Sequence, residues 1–239
     1  HPLQFTLVVK NTIWLMLFLI YFLLLLVFYI QLKGIDNQFA RIINWLGYTG
    51  LGMVSLLFFF QIGFEIYDGI KQMVNRKHQF NPQRRAFLGL SIKQVAAGFS
   101  VLGTGWGFYT ATKKPEIVKI NIPIKNLPSQ LKGLRLAQIT DLHVGSMITE
   151  KFVRNVTDSL NSLNADMLFF TGDAADGSVE HFGKYMDSFS SVRPKYGKFF
   201  VTGNHEYYSD MNGWLRKIES LGFKILINES QNIVINGAI

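Results

Sequence analysis

The chain has 239 residues, 49% of them hydrophobic, with 21 Phe, a formal charge of +8 and no Cys. The lack of Cys excludes a disulfide framework and any thiolate metal site. The charge excludes a basic nucleic-acid-binding surface by where it lies: residues 1–115 hold 11 Lys+Arg against 3 Asp+Glu, and residues 116–239 hold 13 against 13. The whole excess falls in the apolar half, where basic residues flank membrane spans.

The first block, TIWLMLFLIYFLLLLVFYIQL (12–32), carries no charge. At about 1.5 Å per residue it reaches across a hydrocarbon core of roughly 30 Å and predicts a transmembrane helix. IINWLGYTGLGMVSLLFFFQIGF (42–64) predicts a second, and the short polar KGIDNQFAR between them allows only a tight helical hairpin. QVAAGFSVLGTGWGFYTA (94–111) is Gly-rich and less apolar but long enough to be the third expected span. These spans make residues 1–112 a membrane domain.

Lys71, Arg76, Lys77, Arg84 and Arg85 lie between the second and third spans, against Lys33 and Arg41 between the first two. The positive-inside bias puts the richer loop in the cytoplasm, so everything after residue 112 is expected outside. QRRAFLGL (83–90) is similar to a twin-arginine export signal and points the same way. The expected location is therefore the plasma or inner membrane, with the C-terminal half extracytoplasmic and the lipid bilayer as its standing partner. Residue 1 is His rather than Met, which leaves room for further helices upstream.

KKPEIVKINIPIKNLPSQLKG (113–133) is polar and twice interrupted by Pro, and reads as a linker and first edge strand. From 134 strands and helices alternate: strand 134–140; helix 149–164 with Thr149 as N-cap and Phe152, Val153, Val156, Leu160 and Leu163 on one face; strand 165–173; helix 180–192; strand 197–204. A helix at 209–222, lined by Trp214, Leu215, Ile218 and Leu221 and closed by Gly222, precedes a last strand at 223–228. The alternation predicts an α/β domain with a largely parallel sheet.

Three successive strands end on T-D-L-H (140–143), T-G-D-A-A-D (171–176) and T-G-N-H-E (202–206). The crevice outside the carboxyl ends of parallel strands is where α/β proteins place ligands. Asp, His, Asp and Asn meeting there form a donor set of oxygen and nitrogen, suited to Mn, Fe, Zn or Mg. The glycines before Asp173 and Asn204 suit a backbone that turns sharply and lets another group come close.

With D-L-H at 141–143, G-D-A-A-D at 172–176 and G-N-H-E at 203–206, about thirty residues apart, the sequence resembles the calcineurin-like metallophosphoesterase family, and more narrowly its membrane-anchored bacterial members. The resemblance covers roughly residues 116–239. It implies a four-layer α/β/β/α sandwich, present here in part, and two divalent metal ions as cofactors. It makes Asp141 and His143 ligands of one metal, Asp173 the carboxylate bridging both, and Asn204 a ligand of the second. His205 would face the phosphate and donate a proton to the leaving oxygen, with Asp176 holding its imidazole. Glu206 is expected to be a structural polar contact; His181 has no motif, and His78 sits in the basic loop.

Some family members carry Arg after the second motif, where this chain has Gly177, which leans toward diesters or pyrophosphates. The family also supplies three later histidines, whereas no His follows His205. The chain is therefore expected to be a fragment with an unfinished second metal site, inactive alone. The function implied is a membrane-anchored hydrolase that cleaves a phosphodiester or pyrophosphate bond of a phosphorylated small-molecule or lipid substrate with a metal-bound hydroxide. The alternatives are a non-catalytic membrane sensor or scaffold that binds a phosphorylated ligand and, among enzymes, a nucleotide-sugar lipid pyrophosphatase.

Overall fold

The computed structural model describes residues 2–33, 35, 37–74 and 82–238. Arg76, Lys77 and His78 lie outside the described residues, as do the side chains of Arg84 and Arg85. The chain forms two compact units, a helical one and an α/β one whose main part begins at Lys114.

In the helical unit, α1 spans Pro2–Leu32, α2 Gln38–Val74 and α3 Pro82–Thr112. The helices run well past the apolar blocks, because the flanking polar residues are themselves adequate helix formers. Within α1 and α2, Leu7–Leu32 and Gln38–Lys71 are long and apolar enough to cross a membrane. Phe18, Phe22 and Phe28 of α1 and Phe58 and Phe59 of α2 are exposed, as in helices that meet lipid on most of their circumference. α3 has the length, at 31 residues, but its Gly and Thr leave it short of the hydropathy of the other two. Gly103 serves packing: a Cβ there would lie 3.3 Å from Leu56 Cδ1, whereas Gly98, Gly105 and Gly107 face open space, so α3 runs close against α2 at Gly103. Trp45 meets Phe108 with ring centroids 3.9 Å apart and Phe60 meets Phe99 at 6.3 Å, so α2 and α3 are antiparallel.

The α/β unit holds one sheet among the described residues, in the order β1 (Leu136–Ile139), β2 (Met167–Thr171), β3 (Lys198–Val201), β4 (Lys224–Ile225), all parallel. Sequential order with right-handed crossovers carries every connecting helix onto the same face. The large apolar cluster lies there. It joins Leu168, Phe170 and Phe200 of the sheet to Val153, Val156 and Leu160 of α4 (Glu150–Leu163), and to Phe182, Met186, Phe189, Trp214 and Ile218. The opposite face carries a smaller cluster of Met167, Phe199 and Ile235. Of the four layers expected, the described residues form one sheet and the helical layer upon it.

Three sequence expectations change. Segment 113–133 forms no strand; apart from a 3-10 turn at Ser129–Leu131 it is irregular. Val118, Ile120 and Ile122 are exposed, and among the described residues no strand pairs with this segment. Helix 180–192 is one α-turn, α5 (Val179–Phe182), followed by a 3-10 helix, Gly183–Ser191. Met186, Phe189 and Val192 are buried at intervals of three, which suits three residues per turn better than 3.6. The strand expected over 223–228 pairs only through Lys224 and Ile225. α7 (Met211–Ser220) forms as expected, with Asp210 Oδ1 accepting from Gly213 N at 3.0 Å and Gly222 at φ 89° ending the helical run. α4 starts at its expected place, although the Thr149 side chain makes no capping bond.

Lys198 is buried at the start of β3 and donates from Nζ to the carbonyls of Phe189 at 2.6 Å and Val192 at 2.9 Å, closing the 3-10 helix. Burial, with Arg193 adding to it, pushes its ammonium down to about 8 from 10.5. Between those two values the unfolded chain holds more protons than the folded one, so stability rises with pH there, by up to about 1.4 kcal/mol per unit. Thermal melts between pH 8 and pH 10 are expected to show that rise, and Lys198→Met to remove it.

Candidate metal centre

Because β1, β2 and β3 are parallel, their carboxyl ends share one edge, and the three motifs leave the sheet there. Pairing continues past the strands: Asp141 N donates to Gly172 O at 3.2 Å, His143 N to Asp173 O at 3.1 Å, Val144 N to Ala174 O at 2.9 Å, and Asp176 N to Val144 O at 2.8 Å. Asp141, His143 and Asp173 all sit in the left-handed region, at φ 53°, 48° and 53°. Each such residue costs on the order of 1–3 kcal/mol unless the surroundings fix it. Asp and His are among the side chains that tolerate the region best.

The third motif approaches the second through glycine. Gly172 has φ 83°, and a Cβ there would lie 2.6 Å from Gly203 Cα; a Cβ on Gly203 would lie 2.6 Å from Asp173 N. No side chain fits at either position, so the G-D and G-N pairs are required for contact between the loops. Beyond Gly203 the chain turns into a five-residue helix, α6 (Asn204–Tyr208).

The structure brings the predicted acids and imidazoles together. Asp141, His143 and Asp173 offer ligand atoms within 4.8 Å of one another, and so do His143, Asp176 and His205. His143 Nε2 is 3.7 Å from Asp141 Oδ1, while its Nδ1 is 2.8 Å from Asp176 Oδ1. His205 Nδ1 is 2.7 Å from that same Asp176 oxygen, and the two imidazoles meet edge to face with centroids 4.4 Å apart. One oxygen of Asp176 thus stands within hydrogen-bond distance of both imidazoles. A carboxylate on one imidazole nitrogen fixes the ring and leaves the other nitrogen for a cation.

Burial pulls the His143 imidazole down, but the hydrogen bond to Asp176 and the charges of Asp176, Asp173 and Asp141 outweigh it, so His143 holds its proton above its ordinary value. Acids crowded at this spacing need a positive charge among them. Two carboxylates and an imidazole nitrogen within reach of one point fit a divalent cation of hard or borderline character.

Asn204 opens α6 with its side chain exposed, one residue before His205. The His143 and His205 side chains are about one-third exposed, and Asp176 and Asp141 more so, which leaves the cluster open to solvent. His181 is apart from it, its Nδ1 2.6 Å from Ser178 Oγ. The double use of Asp176 was hidden in the sequence, since D-x-H and G-D-x-x-D declare no contact between their last residues.

Residues 134–237 match the model of the calcineurin-like phosphoesterase family. The chain is 27% identical over 198 residues to a zebrafish (Danio rerio) protein named transmembrane protein with metallophosphoesterase domain, covering 80% of this chain and 44% of that one. It is 32% identical over 154 residues to an uncharacterized metallophosphoesterase of Helicobacter pylori, 64% of this chain and 40% of that one. It is 34% identical over 98 residues to the UDP-2,3-diacylglucosamine pyrophosphatase of Chlamydia muridarum, 39% and 30% of the two chains. The chain thus spans less than half the length of these relatives, and no solved structure matches it. With its three motifs gathered at one sheet edge, the segment 134–237 is similar throughout to the calcineurin-like phosphoesterase domain, and the relatives it matches are named metallophosphoesterases or a pyrophosphatase.

Proposed function

We propose that this protein is a membrane-anchored hydrolase of phosphoric esters, acting on a phosphodiester or a pyrophosphate. The observation that carries this reading is the meeting of Asp141, His143 and Asp173 with the Asp176–His205 pair at the carboxyl edge of the sheet. Two divalent cations, of Mn, Fe, Zn or Mg, would be held by Asp141, His143, Asp173 and Asn204, with Asp173 the one carboxylate shared. When bound, they supply Lewis-acid polarisation of a phosphoryl oxygen and a nucleophile at neutral pH.

The chain's own residues do the rest. Asp176 holds the His205 ring by Nδ1, which leaves Nε2 to carry a proton to the oxygen of the departing group. The open rim of the cluster admits the substrate, and Gly177 adds no cation there to grip a terminal phosphate, which favours diesters and pyrophosphates. A lipid-linked nucleotide substrate is supported by the name of the Chlamydia relative and by the two apolar helices, which would keep the domain beside lipid. The basic residues between α2 and α3 support a domain on the extracytoplasmic side, with α3 as the third span.

The full-length gene product in detergent, given Mn²⁺, is expected to hydrolyse bis(p-nitrophenyl) phosphate faster than p-nitrophenyl phosphate, and to stop on chelation. Tight binding of phosphorylated ligands with no turnover under any divalent metal would favour the sensor instead.

A further inference from the structure

Glu206 closes the third motif, yet the chemistry above gives it no part. It is 1% exposed. Its carboxylate accepts three backbone hydrogen bonds: Oε2 from Gly203 N at 2.7 Å and from Asp173 N at 3.1 Å, and Oε1 from Ala174 N at 2.7 Å. The first of these is the ordinary return bond from the third position of a helix to its N-cap. The other two leave the helix and reach the loop after β2. In the opposite direction, Asp173 Oδ1 accepts from His205 N at 2.9 Å. Residues 173–174 and 203–206 are thus laced in both directions, around a residue at φ 53°.

We propose that Glu206 is a positioning residue of the metal centre: its carboxylate clamps the Asp173–Ala174 backbone onto the loop that carries Asn204 and His205, and so fixes where the Asp173 carboxylate points. This rests on the metal-site reading above. A five-residue helix needs only the Gly203 bond at its start, so capping alone leaves two of the three bonds unexplained. Three convergent N–H groups also satisfy the acceptor oxygens of a side chain buried away from water.

The chemistry sets what can replace it. Gln keeps the size but turns an NH₂ toward backbone N–H groups, so whichever way it flips at least one donor faces a donor. Asp keeps the charge and both acceptor oxygens on a side chain one methylene shorter, so it restores part of the clamp. Neither change removes a ligand, and Gln releases Asp173 the more.

The test uses the full-length protein in detergent, as wild type, Glu206→Gln, Glu206→Asp and Asp173→Ala, each titrated with Mn²⁺ by calorimetry and melted with and without the metal. Both Glu206 variants are expected to melt cooperatively without metal, and Glu206→Gln to bind Mn²⁺ about 10–100-fold more weakly, the scale seen when a group that orients a ligand is lost. The metal-induced rise in melting temperature shrinks in step, and Glu206→Asp, which keeps the acceptors, binds more tightly than Glu206→Gln. Wild-type Mn²⁺ affinity in Glu206→Gln would overturn the inference, and so would failure of both variants to fold, since Glu206 would then be a core residue only. Asp173→Ala separates the two levels: if it also binds like wild type, the metal site itself lies elsewhere, whereas if it alone loses Mn²⁺, only the role of Glu206 falls.

Discussion

Asp173→Ala is expected to abolish tight binding of divalent metal and, with it, all hydrolysis. Asp173 is the carboxylate that stands among Asp141 and His143 on one side and packs beside the Gly203–His205 loop on the other. Its removal takes one of the three clustered ligand groups, and under the bridging assignment it takes an oxygen from each of two cations at once. It also removes the acceptor for His205 N, so the third motif loses its register with the second. Metal content of the purified variant, measured by elemental analysis against wild type, should fall to background. A drop to one ion per chain would show that Asp173 serves a single site.

His205→Ala should behave in the opposite way. The imidazole is held through Nδ1 by Asp176 and lies against the edge of the His143 ring, so its loss leaves Asp141, His143 and Asp173 in place. Metal content should hold while turnover falls about 10²–10⁴-fold, the scale of one positioned proton donor. The defect should shrink for a diester whose leaving group is as acidic as p-nitrophenol, because such a group departs without help. Equal metal loss in His205→Ala and Asp173→Ala would make His205 a ligand. Asp176→Asn should combine milder forms of both defects, because one of its oxygens holds both rings.

Much of the centre was legible because its logic is local. Asp141, His143, Asp173 and His205 stand at fixed distances from the ends of apolar strands, and parallel pairing then brings those ends together without further information. The helices α4 and α7 were legible for the same reason, through an apolar face at helical spacing. What escaped depends on contacts between segments. Asp176 serves His143, 33 residues away, and Glu206 serves Ala174, 32 residues away; neither spacing has a periodicity to betray it. The helix expected over 180–192 failed locally, since Gly183, Ser188, Ser190 and Ser191 are weak helix formers and the core wanted residues at every third position. Within 113–133 the alternation is real, but among the described residues no strand lies beside it, and a strand exists only when another pairs with it.

If the carboxyl edge of this sheet holds the reactive metals, anomalous diffraction from crystals of the full-length protein grown with Mn²⁺, recorded above and below the manganese edge, will locate them there most directly. The predicted result is density between the side chains of Asp141, His143 and Asp173, absent in Asp173→Ala. A protein that hydrolyses a phosphodiester only with Mn²⁺ yet shows no manganese at that edge, or shows it bound elsewhere, would contradict the account.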